Sequence, residues 1–108
     1  MRILLDHCVD MRFKALLSTF EVSHTKEMGW ESLSNGKLLA AAEKAGFDVF
    51  LTVDKGLRHQ QNIAKLGISV VTLATLFTSF DDLSPLAPQL VSLLDMGVTP
   101  GSSYVLTI

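Results

Sequence analysis

The chain has 108 residues, 48% of them hydrophobic and only 19% charged, enough for one real core and one domain spanning 1–108. Its net charge of −2 excludes a general basic coat for nucleic acid, and the single Cys8 excludes an internal disulfide and fits a reducing cytoplasm. The longest uncharged run, Leu66 to Phe80, carries Ser and Thr and falls short of the roughly 20 apolar residues of a membrane span, while Asp6 and Asp10 interrupt the start where a signal peptide would be apolar.

The chain alternates strand and helix patterns. Arg2-Ile3-Leu4-Leu5-Asp6 predicts a buried strand that stops on a carboxylate. Val9, Phe13, Leu16, Leu17 and Phe20 then share one helical face, with Asp10 at the positive N-terminal end. Val22 to Thr25 predicts a short second strand, and Lys26 to Leu33 lacks periodicity and predicts a loop. Ser34 suits the N-cap of a helix through Ala45, stopped by Gly46. Asp48 to Asp54 repeats the pattern of an apolar strand ending on an aspartate.

Gly56 to Leu66 predicts a third helix. Ile68 to Leu73, β-branched and uncharged, predicts a strand buried on both faces. Ser84-Pro85 reads as an N-cap with proline in the first turn, opening a helix with Leu86, Leu90, Leu93 and Leu94 inward and Gly97 at its end. Ser103 to Ile108 alternates as a final edge strand would. The sum is an α/β chain with a mostly parallel sheet of about five strands and helices on both faces. Right-handed crossovers and a flavodoxin-like order, 2-1-3-4-5, set the first and third strands side by side.

That order brings Asp6 and Asp54 to one crevice at the C-terminal edge of the sheet, where ligands of parallel α/β proteins bind. Two carboxylates held close repel unless a cation or proton lies between them. Mg²⁺ or Mn²⁺ answers that need, taking few carboxylates, keeping waters and binding phosphate oxygens. Such an ion polarises a phosphodiester and acidifies a water that attacks phosphorus. The alternative is that each aspartate caps the helix after its strand.

All nine Lys and Arg lie between Arg2 and Lys65, so any phosphate contact falls in that part. Arg58 is the candidate phosphate clamp, with Lys55, His7 and His59 as further substrate contacts. Each has a plainer reading as a solvated surface group or a structural histidine. Gln60, Gln61 and Asn62 would read bases or form a polar helix face. Glu27 or Glu31 would add an acid if their loop folds over the crevice. Trp30 would stack on a base or, more simply, pack on the core. Cys8 reads as a small buried residue of the first helix, and His24 as structural.

The opening Ile3-Leu4-Leu5-Asp6-His7-Cys8 resembles the start of the short bacterial PIN-like, toxin-like proteins, and Asp48 to Leu57 resembles their strand-plus-aspartate motif. Met28-Gly29-Trp30, Ser34-Asn35-Gly36-Lys37-Leu38-Leu39 and Gln60-Gln61-Asn62 are similar to one subgroup. The resemblance covers roughly residues 2 to 73. It implies a PIN-like three-layer sandwich and metal-dependent ribonuclease activity on single-stranded or structured RNA. It also implies the toxin's place in a toxin–antitoxin pair, with an antitoxin protein as partner. Asp6 and Asp54 match the family's metal-binding acids, and Asn35 falls where relatives often have an aspartate. Gly56 falls where they often have another acid. With two carboxylates, the site suits one Mg²⁺ or Mn²⁺ rather than two.

Two other readings stand beside this one. A receiver-like phosphoacceptor module also ends its third strand on Asp, and Thr72 lies near the end of the fourth. But Asp6 is followed by His7 rather than a second acid, and no Lys occurs beyond Lys65. The other is a non-catalytic binding or oligomerisation protein with a degraded site. From Leu66 onward there is no basic residue, only Asp81, Asp82 and Asp95. That apolar, Lys-free third suits a homodimer or another protein interface.

Overall fold

The computed structural model describes residues Met1–Ile108. Five strands form one sheet: β1 (Arg2–Leu5), β2 (Glu21–His24), β3 (Val49–Thr52), β4 (Ser69–Leu73) and β5 (Ser103–Leu106). Their order is β2-β1-β3-β4-β5, and every pair is parallel. Leu5 stands opposite Leu51, and Thr52 opposite Thr72. The α/β class, the strand order and the adjacency of the first and third strands all match the sequence expectation.

Alternate residues along each strand point to opposite faces, and the sheet accordingly divides two cores. Ile3, Leu5, Val49, Leu51, Val71 and Leu73 meet Phe13 and Leu17 of a 3₁₀ helix (Met11–Leu17), with Leu90 and Leu94 of the last helix. Leu4, Phe50 and Val70 meet Leu38, Leu39 and Ala42 of the helix before β3, with Leu57 and Ile63. β4 is buried along its whole length, as its uncharged sequence requires. No helix is long and apolar enough to cross a membrane.

Besides the first helix, which is 3₁₀ over Met11–Leu17 rather than α, the helical segments depart from expectation in three places. The stretch after β2 is not a plain loop: it opens with a helical turn, α1 (Thr25–Met28), closed by Gly29 in the left-handed region at φ 72°. His24 caps it, its ring accepting from Lys26 N, while the Glu27 side chain accepts from His24 N at 2.9 Å. This reciprocal pair is a capping box. A histidine in the capping position hid it, because Ser, Thr, Asp and Asn are the usual signal. By contrast α2 (Asn35–Lys44) starts and stops where predicted, although Ser34 in the N-cap position makes no side-chain cap hydrogen bond, and Gly46 takes φ 89° just beyond it.

Gly56 to Leu66 breaks in two, α3 (Leu57–Gln60) and a 3₁₀ turn (Ile63–Lys65), with Gln61 extended between them. Leu57 and Ile63 are both buried. In an unbroken α-helix, residues six apart point about 120° away from each other, so the break lets both reach one core. In the third departure, helix begins at Ser79 rather than Ser84. α4 (Phe80–Leu83) runs through a 3₁₀ turn (Ser84–Leu86) into α5 (Ala87–Met96). The Ser79 hydroxyl accepts from Asp82 N and donates to Asp82 Oδ2. Ser84 lies inside the helical run, its hydroxyl turned back to Asp81 O.

Ser79→Ala is expected to lower stability by about 1 kcal/mol and Ser84→Ala by clearly less, as measured by urea unfolding. Equal costs would return the helix start to Ser84.

Candidate functional site

The site grows from the ends of β1 and β3. Asp6 N–H donates to Leu51 O at 2.9 Å, carrying the β1–β3 ladder one residue past the strand. Asp6 therefore continues the alternation of Leu4, and Thr52 that of Phe50, so both side chains turn to the α2 side of the sheet. There they meet: the Thr52 hydroxyl donates to Asp6 Oδ2 at 2.7 Å and accepts from Asp54 N–H at 3.0 Å. One buried hydroxyl thus links the two aspartates, one through its carboxylate and the other through its backbone. Sequence reasoning passed over Thr52; its signal is its place two residues before Asp54, opposite Asp6 on the neighbouring strand.

Asp6 is only 2% exposed. Its Oδ1 accepts from His7 N–H at 2.8 Å and lies 3.0 Å from His7 Nδ1. Its Oδ2 also receives the weak Cys8 thiol, Sγ at 3.4 Å. Three hydrogen bonds and one ion-pair contact thus meet a carboxylate that offers about four lone-pair positions. Asp54 is half-buried; its Oδ1 accepts from Gly56 N–H at 2.9 Å, and its Oδ2 has no protein donor. Gly56, where an acid was absent from the sequence pattern, supplies this backbone donor instead. A Cβ there would stand 3.2 Å from Gln60 Nε2.

The remaining predicted residues divide. Arg58 is half-buried, and its Nη1 is sealed from solvent without an acceptor. Thr72 Oγ1, beside Thr52 in register, is likewise buried and unpaired. Lys55 and His59 are exposed. Asn35 opens α2, half-buried, and no hydrogen bond joins it to either aspartate. Its neighbour Gly36 packs against Gln61 Oε1, so the Gln60–Gln61 pair borders both the start of α2 and the Asp54 turn.

Three side chains are held elsewhere. Glu27 is committed to Lys14, at 2.9 Å, and to the α1 cap. Those bonds, Lys14 first, hold its carboxyl below the usual range. Glu31 is exposed, and Trp30 packs edge-on against Phe47, 6.3 Å between centroids. His24 is structural, as expected: its Nδ1 accepts from Lys26 N–H, so Nε2 carries the proton and donates to Val9 O at 2.8 Å.

Cys8 corrects its sequence reading. It precedes the 3₁₀ helix, and the residue is exposed while its sulfur turns to Asp6 and Thr52. Desolvation of the sulfur pushes the thiol pKa up; a backbone hydrogen bond from Val53 opposes this, and the Asp6 carboxylate adds to the rise.

Asp6 and Asp54 are the two carboxylates that a divalent ion would meet here. Asp54 Oδ2 is free, but an ion on Asp6 has to displace the His7 ring or the Cys8 thiol, the two weakest-held of its partners. No three His, Cys, Asp or Glu side chains converge as a metal-holding group, so an ion here would have only the two aspartates and water as ligands. No family model matches the chain, and no curated protein or solved structure matches it.

Removing the linking hydroxyl tests the core of the site. Thr52→Val leaves Asp6 Oδ2 and Asp54 N–H without their shared partner and is expected to cost about 1–3 kcal/mol in urea unfolding, whereas Thr52→Ser costs less. A raised thiol pKa means less thiolate at neutral pH. Alkylation of Cys8 by iodoacetamide is accordingly expected to be slower than that of a free thiol peptide. It should accelerate in Asp6→Asn, which removes the neighbouring charge.

Proposed function

We propose that the protein is a PIN-like, metal-dependent ribonuclease whose acidic edge holds one Mg²⁺ or Mn²⁺ between Asp6 and Asp54. The observation that carries this reading is the pairing of β1 with β3, which sets a buried aspartate and a half-buried one at neighbouring strand ends, joined through Thr52. When bound, the ion polarises a phosphodiester and acidifies a water. Hydrolysis then joins the water oxygen to phosphorus, and the bridging ester oxygen leaves with a proton.

The chain's own residues orient this chemistry. Thr52 fixes the Asp6 carboxylate. Gly56 N–H fixes Asp54 Oδ1 and turns Oδ2 outward. Arg58 supports a phosphate role through its place in α3, just after the Asp54 turn, and through a guanidinium that matches phosphate geometry. Asn35 supplies an amide beside the crevice, and Lys55, His59 and His7 add donors at its rim.

The apolar third supports a protein partner. Leu76 is 84% exposed and Phe77 67%, in a segment free of Lys and Arg. A second copy of the chain or an antitoxin-like protein covers such a patch. The competing reading is a non-catalytic PIN-like binding protein. Its support is the full set of protein donors on Asp6, which leaves an ion no vacant position there without displacing His7 or Cys8. A receiver-like module draws no such support, because β5 ends without the lysine that chemistry uses.

Titration with Mn²⁺ is expected to show saturable binding in the wild type. Asp6→Asn and Asp54→Asn should weaken it at least about 100-fold, since even the partners of metal ligands are worth about 10–100-fold. Single-stranded RNA should be cut by the wild type and not by either variant. Binding of the ion without cleavage favours the binding protein, and no Asp-dependent binding at all ends the metal reading.

A further inference from the structure

The open sheet has two edges, β2 and β5. An edge strand turns alternate backbone N–H and C=O groups away from the sheet, where they invite another strand. The two edges differ in how far the chain itself closes those groups.

In β2, Glu21 N–H donates to Met1 O, so Glu21 and Ser23 face β1 while Val22 and His24 face outward. The outward His24 N–H is closed by the Glu27 carboxylate at 2.9 Å. Glu21 is exposed and charged, its carboxylate 3.6 Å from Arg2. A charge on the strand is a usual guard of an edge, and Val22 is left as the open residue.

β5 is not guarded in this way. Val70 N–H donates to Ser102 O and Ala74 N–H to Leu106 O, so Ser102, Tyr104 and Leu106 face β4. Ser103, Val105 and Thr107 turn their backbone groups outward. Thr107 O is closed by Gln89 Nε2 of α5 at 3.0 Å. No side chain closes Ser103 or Val105, and both are exposed, Val105 by 41%. From Met96 to Ile108 there is no charged residue, and Pro100 lies before the strand rather than in it. Beside β5 an apolar groove of about 490 Å³ runs between Leu106 and α5, with Pro88, Leu93 and Met96 in its wall and no charged side chain. Met96 is 87% exposed.

We infer that β5 pairs with β5 of a second copy of this chain, antiparallel about a two-fold axis, so that the two sheets run on as one. Ser103 of each copy then stands opposite Val105 of the other, and each such pair exchanges both N–H···O bonds. Tyr104 meets its own copy on the axis. The same axis brings the two α5 helices together on one face, where Leu93, Met96 and Leu106 of each copy cover the groove of the other. A second copy is the occupant because a two-fold contact sets a surface against itself. The two open residues match in reversed order, and a segment without charge sets no like charges together. A strand bearing Lys or Asp would find no counter-charge here. This inference does not depend on the ribonuclease reading.

Sedimentation and amide hydrogen exchange of the full chain over about 1 μM to 1 mM test the pairing. Wild type is expected to pass from monomer to dimer mass. Exchange at Ser103 and Val105 should slow as the dimer fills, and exchange at Val22 should not change. Val105→Pro removes an outward N–H that β4 does not use, at an edge position where proline is tolerated. It is expected to stay monomeric with its circular dichroism unchanged. Ser103→Lys places a charge on the edge and is expected to weaken the dimer at least about tenfold; it decides the question if Val105→Pro does not fold. A wild type that stays monomeric throughout overturns the inference. So does a dimer that survives both variants, or one whose Ser103 and Val105 amides exchange as in the monomer. A monomeric wild type whose edge amides are protected only by an added extended peptide of another sequence also overturns it, and makes the edge a site for a foreign strand.

Discussion

Pairing β1 with β3 in parallel, Leu5 opposite Leu51, determines where two carboxylates leave the sheet. Because the pair is extended by Asp6 N–H to Leu51 O, Asp6 stays in the strand's alternation and turns to the same face as Thr52. A slip of one residue would send Asp6 into the opposite core, beside Leu51 and Val71, where an ionised carboxylate would lack partners. The hydrogen bond from Thr52 to Asp6 is thus both a consequence of the register and a reason for it. Both clusters of core residues depend on the same alternation, so the apolar packing and the acidic edge stand or fall together.

The edge of the sheet is asymmetric around Asp6. On one side are the Thr52 hydroxyl, the Asp54 turn, the orphaned Arg58 nitrogen and the start of α2. On the other is a cavity lined in part by Lys26 and Thr78. His7 stands between, bonded to Asp6 yet largely in solvent, its side chain 54% exposed. Basic residues supply both sides, and the stretch from Leu66 onward supplies none. The charge separation of the sequence thus recurs in space: every Lys and Arg lies between Arg2 and Lys65, and the exposed Leu76 and Phe77 lie in the stretch after it.

Strand order and the placement of Asp6 and Asp54 at neighbouring strand ends were legible because they rest on robust signals. Arg2–Leu5, Val49–Thr52 and Ser69–Leu73 are short apolar runs, and alternation with helices forces a parallel sheet. Asp6 and Asp54 were legible for the same reason, each ending such a run. What the sequence hid depended on tertiary contacts. His24 as a helix cap needed Glu27 and Lys26 in place; the break at Gln61 needed one core to demand both Leu57 and Ile63. Thr52 carries no unusual pattern of its own, and its role exists only once β1 lies beside β3. The direction of the Cys8 sulfur is hidden likewise, since it follows from two residues on different strands.

The central claim is that a divalent ion sits at the joined ends of β1 and β3. Substoichiometric Mn²⁺ broadens the amide signals of nearby residues in a two-dimensional nitrogen–proton spectrum. The account predicts broadening centred on Leu5 to Cys8 and on Thr52 to Gly56, and its disappearance when Mg²⁺ is added in excess. Broadening centred instead on Asp81 and Asp82, or none at any residue, would contradict it.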